Sequence, residues 1–128
     1  MFNKVDYVMV NVSDMTRSVE FYRDKLGIKL KFQSEGWTEF QTESTTLALH
    51  GGGKPQDRSK DHDPKTTYSG TCSIGFNVEN VDQVFEQLKA KGVHFIMPPM
   101  VQEKEGIKLT VCIDPDGLPI SFAEMLKR

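Results

Sequence analysis

The chain has 128 residues, of which 38% are hydrophobic and 27% charged, so it has enough apolar material for one compact domain and too much to be disordered. Its formal net charge of −2 lacks the basic excess that is typical of nucleic-acid-binding proteins. No apolar run approaches the roughly 20 residues that cross a bilayer, and the first residues lack the apolar segment of a signal peptide. These features predict a cytoplasmic protein that binds neither nucleic acid nor a membrane.

The two cysteines, Cys72 and Cys112, are far apart and have no CxxC or zinc-like spacing. A disulfide framework is therefore not indicated. Because free cysteine is among the most buried residue types, we expect both thiols to be buried.

An internal repeat organises the chain. Residues 7–14 align with residues 73–80 at an offset of 66, which matches Asn11 and Val12 with Asn77 and Val78. In both copies apolar residues alternate with others, as in a strand with one buried face. A capping residue and apolar residues at helical spacing follow each strand, and Gly27 or Gly92 ends the predicted helix.

Each predicted helix is followed by three more strands. These are residues 29–33, 37–41 and 45–50 in the first copy, and 94–97, 107–113 and 118–123 in the second. An Asp-Pro-Asp-Gly turn at 114–117 joins the last two. The pattern predicts an α+β fold, a single domain made of two tandem βαβββ modules at about 1–50 and 71–128. The polar, glycine-rich segment 51–70 is predicted to be a mobile loop that joins them.

Several motifs in this pattern carry a resemblance to a known family. They are Val12-Ser13-Asp14-Met15 with the later Phe21-Tyr22 and Leu26-Gly27, then Val78-Glu79-Asn80-Val81, and finally Asp114-Pro115-Asp116-Gly117. Together they resemble the vicinal oxygen chelate superfamily, which includes glyoxalase I, bleomycin-resistance proteins and extradiol dioxygenases. The resemblance covers nearly the whole chain. It implies a curled mixed sheet with a concave cup for ligand or metal, and a homodimer.

Strand alternation predicts which side chains line that cup. If Val8, Val10 and Val12 face the helix, the intervening residues face the cup. Met9 fits either the core or the pocket, and for Trp37 a core or dimer-interface position is preferred to a place at the rim of the cup. The predicted ligand-binding residues are Tyr7, Met9, Asn11, Trp37, Ala48, His50, Ser73, Asn77 and Ser121.

Metal-dependent members of the superfamily carry His or Glu at four cup positions. By alignment these positions fall on Tyr7, Ala48, Ser73 and Ser121, whose hydroxyl and methyl groups are poor ligands for Zn²⁺, Mn²⁺ or Fe²⁺. A slip of two residues would bring His50 into the site, but one His does not make a metal site. The sequence therefore predicts no metal ligands and no cofactor, with a displaced divalent-metal site as the alternative.

This interpretation of the sequence allows two functions. The first is a metal-free, small-molecule-binding protein of the glyoxalase/bleomycin-resistance type, which holds a small organic ligand without altering it. The alternative is a lyase, isomerase or dioxygenase of the same superfamily that acts on a small oxygenated substrate. In that case His50 is the candidate general base, because an imidazole can accept a proton near neutral pH.

Overall fold

The computed structural model describes residues 1–55 and 72–126. The chain forms two compact units, Met1–Gln56 and Asp57–Arg128. Each unit contains one βαβββ module with a four-stranded mixed sheet, so the predicted α+β fold and its repeat are confirmed. The segment 51–70 was predicted to be a mobile loop, and its residues 56–70 lie outside the described residues. Within the described ranges, no helix is long and apolar enough to cross a membrane.

The first unit has its strands in the order β1-β4-β3-β2. Strand β1 runs parallel to β4, and the other neighbours are antiparallel. The elements in chain order are β1 (Tyr7–Asn11), α1 (Met15–Val19), a π-helical stretch (Glu20–Lys25), β2 (Lys29–Gln33), β3 (Trp37–Gln41) and β4 (Thr46–His50).

The first helix differs from the uninterrupted α-helix that the spacing predicts. It begins as expected, with the Asp14 side chain accepting a hydrogen bond from the Arg17 N–H at 3.1 Å. Its second half widens, so that the Leu26 N–H donates to the carbonyl of Phe21, five residues earlier. The consecutive aromatic residues Phe21 and Tyr22 are both buried there. We attribute the wider turn to the packing of these two adjacent rings, which apolar spacing alone does not reveal.

The second unit repeats the topology, with the strand order β5-β8-β7-β6 and β5 parallel to β8. Its elements are β5 (Ile74–Asn77), α2 (Val81–Ala90), β6 (His94–Gln102), β7 (Ile107–Ile113) and β8 (Pro119–Met125). Strand β6 continues five residues past the predicted end at Met97. It passes through Pro98 and Pro99 because it is an edge strand, where a missing N–H is tolerated, and its register shifts there.

The helix of each unit packs on one face of its own sheet. The Tyr22 ring lies 5.9 Å from Phe40 of β3, and the Phe85 ring lies 4.7 Å from Phe95 of β6. Cys112 is buried on the helix side of the second sheet, as predicted. The prediction for Cys72 is wrong, because this residue precedes β5 and its thiol is exposed.

Strand register shows how closely the two units correspond. Met9 lies opposite Ala48 in the first unit, and Gly75 lies opposite Ser121 in the second. Two residues further along, Asn11 lies opposite His50, and Asn77 lies opposite Ala123. The offset of 66 between the first strands of the units therefore also aligns their last strands, β4 with β8.

The turn between β7 and β8 is organised by one carboxylate. Asp114 is 3% exposed, and its Oδ1 accepts hydrogen bonds from the N–H groups of Asp116 at 2.9 Å and Leu118 at 2.8 Å. The Gly117 N–H also donates to the Asp114 carbonyl. This one side chain satisfies two backbone donors that the turn would otherwise leave unpaired.

We expect Asp114→Ala to lower the free energy of unfolding by about 2 kcal/mol, because two backbone N–H groups lose a charged acceptor. Asp114→Asn keeps an oxygen at this position and should lose less than half as much. Urea unfolding with Glu103→Ala as an exposed control measures these differences. Equal losses for Asn and Ala at position 114 would contradict the assigned role of Oδ1.

The two thiols should differ in reactivity. Burial raises the pKa of the Cys112 thiol to about 12, so it holds almost no thiolate at about pH 8. A disulfide reagent such as Ellman's reagent should therefore titrate one thiol rapidly in the folded protein and both in guanidinium chloride. Cys72→Ser should remove the rapid phase, and rapid reaction of Cys112 in that variant would refute the expected difference.

Candidate functional site

The sheet of the first unit has a face turned away from its helix, which we call the first open face. Register places Met9 and Glu39 beside Ala48, and Asn11 and Trp37 beside His50. Paired residues of neighbouring strands share a side of the sheet, so side chains from β1, β3 and β4 meet here. The predicted residues that lie on this face are Tyr7, Met9, Asn11, Trp37, Ala48 and His50.

These residues differ in how much of each side chain is exposed to a ligand. Tyr7 is 54% exposed and Met9 43%, and Asn11 and His50 are also exposed. Met9 therefore belongs to the open face and not to the core. Ala48 is completely buried although it shares the same side of the sheet. Its methyl group supports the residues above it and offers no surface of its own to a ligand.

Three rings form a connected aromatic surface on this face. The Trp37 ring makes edge contacts with Tyr7 at 6.0 Å and with His50 at 6.4 Å. In strand register Tyr7 pairs with Thr46, and Trp37 pairs with His50. Ala48 therefore lies on β4 between the partners of the two aromatic residues. The Tyr7 and Trp37 side chains must lean towards each other across β4 to meet, which accounts for the burial of Ala48.

Trp37 is held at both its backbone and its ring. The Ser34 hydroxyl accepts a hydrogen bond from the Trp37 N–H at 3.0 Å and donates to the Trp37 carbonyl at 2.7 Å. The indole Nε1 donates to Glu39 Oε2 at 2.8 Å, and Lys31 Nζ lies 3.6 Å from Glu39 Oε1. Glu39 was not among the ligand-binding residues predicted from the sequence. The spacing of Trp37 and Glu39, two residues apart on one strand, is the signal that could have joined them.

The second unit presents a different open face. Gly75 and Ser121 are register partners there, as are Asn77 and Ala123. Ser121 is half-buried and Asn77 exposed, while Ser73 is exposed just before β5. Tyr7 and Met9 of the first unit thus correspond to Ser73 and Gly75 of the second.

Sequence reasoning missed the contribution of β7 to this second face. Leu109 pairs with Ala123 and Val111 with Ser121, which places both apolar side chains on the open side. The alternating residues Thr110 and Cys112 are buried on the helix side. Alternation along 107–113 was the available signal, although apolar residues on both sides obscured it. Leu109 and Val111 are thus the apolar counterparts, in the second unit, of Trp37 and Glu39 in the first.

The donor groups at the four expected metal positions do not fit a divalent ion. Tyr7 and Ala48 share the first open face, Ser121 lies on the second, and Ser73 precedes β5. Two serine hydroxyls, a phenol and a methyl group supply neither imidazole nor carboxylate. Among residues 1–55 and 72–126, no three His, Cys, Asp or Glu side chains are grouped to hold a metal ion.

The displaced site considered from the sequence has His50 as its one candidate ligand among the predicted residues of the first open face. His50 lies two residues along β4 from Ala48 and faces the same side. Its structural counterpart in the second unit is Ala123, which offers no donor. His94 is exposed at the start of β6, next to Phe95 of the helix face.

The protein-family model described as the Glyoxalase/Bleomycin resistance protein/Dioxygenase superfamily matches residues 4–122. A bleomycin resistance protein of Geobacillus stearothermophilus is 25% identical over 122 residues, which is 91% of this chain and 92% of that protein. The crystal structure of a glyoxalase/dioxygenase from Nostoc punctiforme is 20% identical, with a TM-score of 0.80 over 98% of this chain and 93% of that one. A glyoxalase family protein from Enterococcus faecalis is 24% identical, with a TM-score of 0.79 over 96% and 98% of the two chains. The chain therefore belongs to the glyoxalase/bleomycin resistance protein/dioxygenase superfamily.

Proposed function

We propose that this protein binds a small, flat organic molecule on the first open face, without a metal ion at the positions used by metal-dependent members. The connected rings of Tyr7, Trp37 and His50 are the observation that carries the proposal. Aromatic rings bind flat ligands through stacking and edge contacts, and they lose little conformational entropy in doing so. Contiguous apolar surface that is open to solvent commonly marks a site of interaction.

Polar groups beside the rings support binding with a defined orientation. Asn11 lies opposite His50, and both are exposed at the same end of the face. An amide and an imidazole can each donate and accept hydrogen bonds. A mainly apolar surface with a few placed polar groups is the usual composition of a small-molecule site. The relatives named bleomycin resistance proteins are consistent with such a binding role.

An enzyme of the same superfamily is the second candidate, and the exposed imidazole of His50 favours it. A lyase, isomerase or dioxygenase acting on a small oxygenated substrate would place that substrate against the rings. His50 would then accept a proton from it as a general base. The two functions differ in one result, since only the enzyme converts its ligand, and that turnover should be lost in His50→Ala.

The homodimer and the cytoplasmic location remain predictions.

The donor chemistry predicts that purified protein holds no stoichiometric Zn, Ni, Mn or Fe. Inductively coupled plasma mass spectrometry after dialysis measures the metal content, with a buffer blank as the control. About one tightly held ion per chain would contradict the proposal, and loss of that ion in His50→Ala would locate a displaced site.

Ligand binding can be followed through Trp37, which is the only tryptophan of the chain. In a screen of small aromatic and oxygenated compounds, we expect binders to change its fluorescence. His50→Ala should weaken such a binder by about 1–3 kcal/mol, the cost of removing one hydrogen-bonding partner.

His94→Ala is the matched control, because His94 is also an exposed histidine but lies at the start of β6 in the second unit. It should leave the affinity unchanged. Equal losses in the two variants, or no loss in His50→Ala, would place the binding site elsewhere.

A further inference from the structure

We infer that Glu39, backed by Lys31, is a positioning residue that fixes the orientation of the Trp37 ring and so sets the shape of the first open face. The inference rests on the proposed function in one respect, namely that a ligand binds on the first open face. Glu39 is not assigned to contact the ligand, and it acts through the indole.

A β-bulge lies in β2 beside these residues. Between Leu30 and Phe32 the register of β2 against β3 shifts, so that Phe32 lies opposite Glu39 and the intervening Lys31 has no register partner. The extra residue of a bulge is released from the regular pairing of the ladder. The Lys31 side chain still reaches Glu39, with Nζ 3.6 Å from Oε1.

Both carboxylate oxygens of Glu39 have a partner. Oε1 faces Lys31, and Oε2 accepts the indole N–H at 2.8 Å. The Glu39 side chain is 29% exposed, whereas that of Lys31 is 52% exposed. A hydrogen bond to an ionised acceptor is stronger than one between neutral groups, and partial burial reduces competition from water. The pair is therefore suited to holding a ring in place.

The bond to Glu39 has a consequence for recognition. Rotating the indole by half a turn about its second side-chain torsion would carry Nε1 away from Glu39 and break the bond. Trp37 is thereby restricted to the orientation in which it meets both Tyr7 and His50. Because the indole N–H is already occupied, a ligand meets the ring and does not meet a free donor.

The test uses the single indole N–H signal that one tryptophan gives in a ¹H–¹⁵N correlation spectrum of the full chain. A bond to a carboxylate should move this signal downfield, and Glu39→Ala should return it towards the position of a solvated indole. Glu39→Gln keeps an acceptor oxygen and should retain most of the shift, and Lys31→Gln should retain part of it. Glu35→Ala, an exposed glutamate two residues before Trp37, is the matched control and should change nothing.

Affinity supplies the second measurement, with 2-naphthol as the probe and decahydro-2-naphthol as its non-planar counterpart. We expect Glu39→Ala to lower the affinity for 2-naphthol about tenfold, which is the size of one lost positioning contact. Glu39→Gln should keep most of the affinity. An unmoved indole signal in a folded Glu39→Ala protein would overturn the inference, as would an unchanged affinity where the wild type binds. If the wild type binds neither compound while the indole signal moves, the positioning role stands and binding of flat ligands on this face is the part that fails.

Discussion

The parallel pairing of the first and last strands in each unit is the constraint on which the open faces depend. Parallel neighbours need a long crossover, which here consists of the helix and the two strands that follow it. Equivalent backbone hydrogen bonds fix the pairing in both units, from the Val12 N–H to the His50 carbonyl and from the Val78 N–H to the Ala123 carbonyl, each 2.9 Å long. A slip of one residue of β1 in this pairing would turn the Tyr7 side chain away from the other two rings and towards the helix.

The same pairing divides the demands on the two sides of a sheet. The helix side must be apolar and closely packed, and Phe40, Leu47 and Leu49 are almost completely buried there. The open side carries no such demand, so it can hold exposed rings, an amide and an ion pair. Ala48 is the exception on the open side of the first sheet, since only a small residue leaves room for two rings to close above it.

Patterns with a period of two or a capping signature were enough to predict most of the fold. Alternation at Val8, Val10 and Val12 assigned the strand and its buried side. Polar residues able to cap a helix marked both helix starts, and the structure shows the caps to be Asp14 and Asn80. The π-helical turn was beyond this reasoning, because it reflects how two adjacent rings fit the core. The end of β6 was missed because proline normally argues against a strand, and only its edge position permits it.

The candidate site was less predictable than the fold. Parity placed Tyr7, Asn11 and His50 on one side of the sheet correctly, because it depends on the backbone alone. The link from Trp37 to Glu39 and Lys31 depends on side-chain torsions, and the neighbouring bulge changes the register of β2 without an unambiguous sequence mark. Cys72 was misplaced for a related reason, since residue type indicates the average burial of cysteine and not where a strand begins.

The correspondence between the two units has a consequence for how such a protein can change. His50 and Ala123 occupy equivalent places, and their carbonyls accept equivalent hydrogen bonds, yet one carries an imidazole and the other a methyl group. The backbone hydrogen bonds are the same in both units although the side chains differ. Substitutions at such positions can therefore be selected for new ligands at little cost in folding, and duplication gives the chain two surfaces on which this selection can act separately.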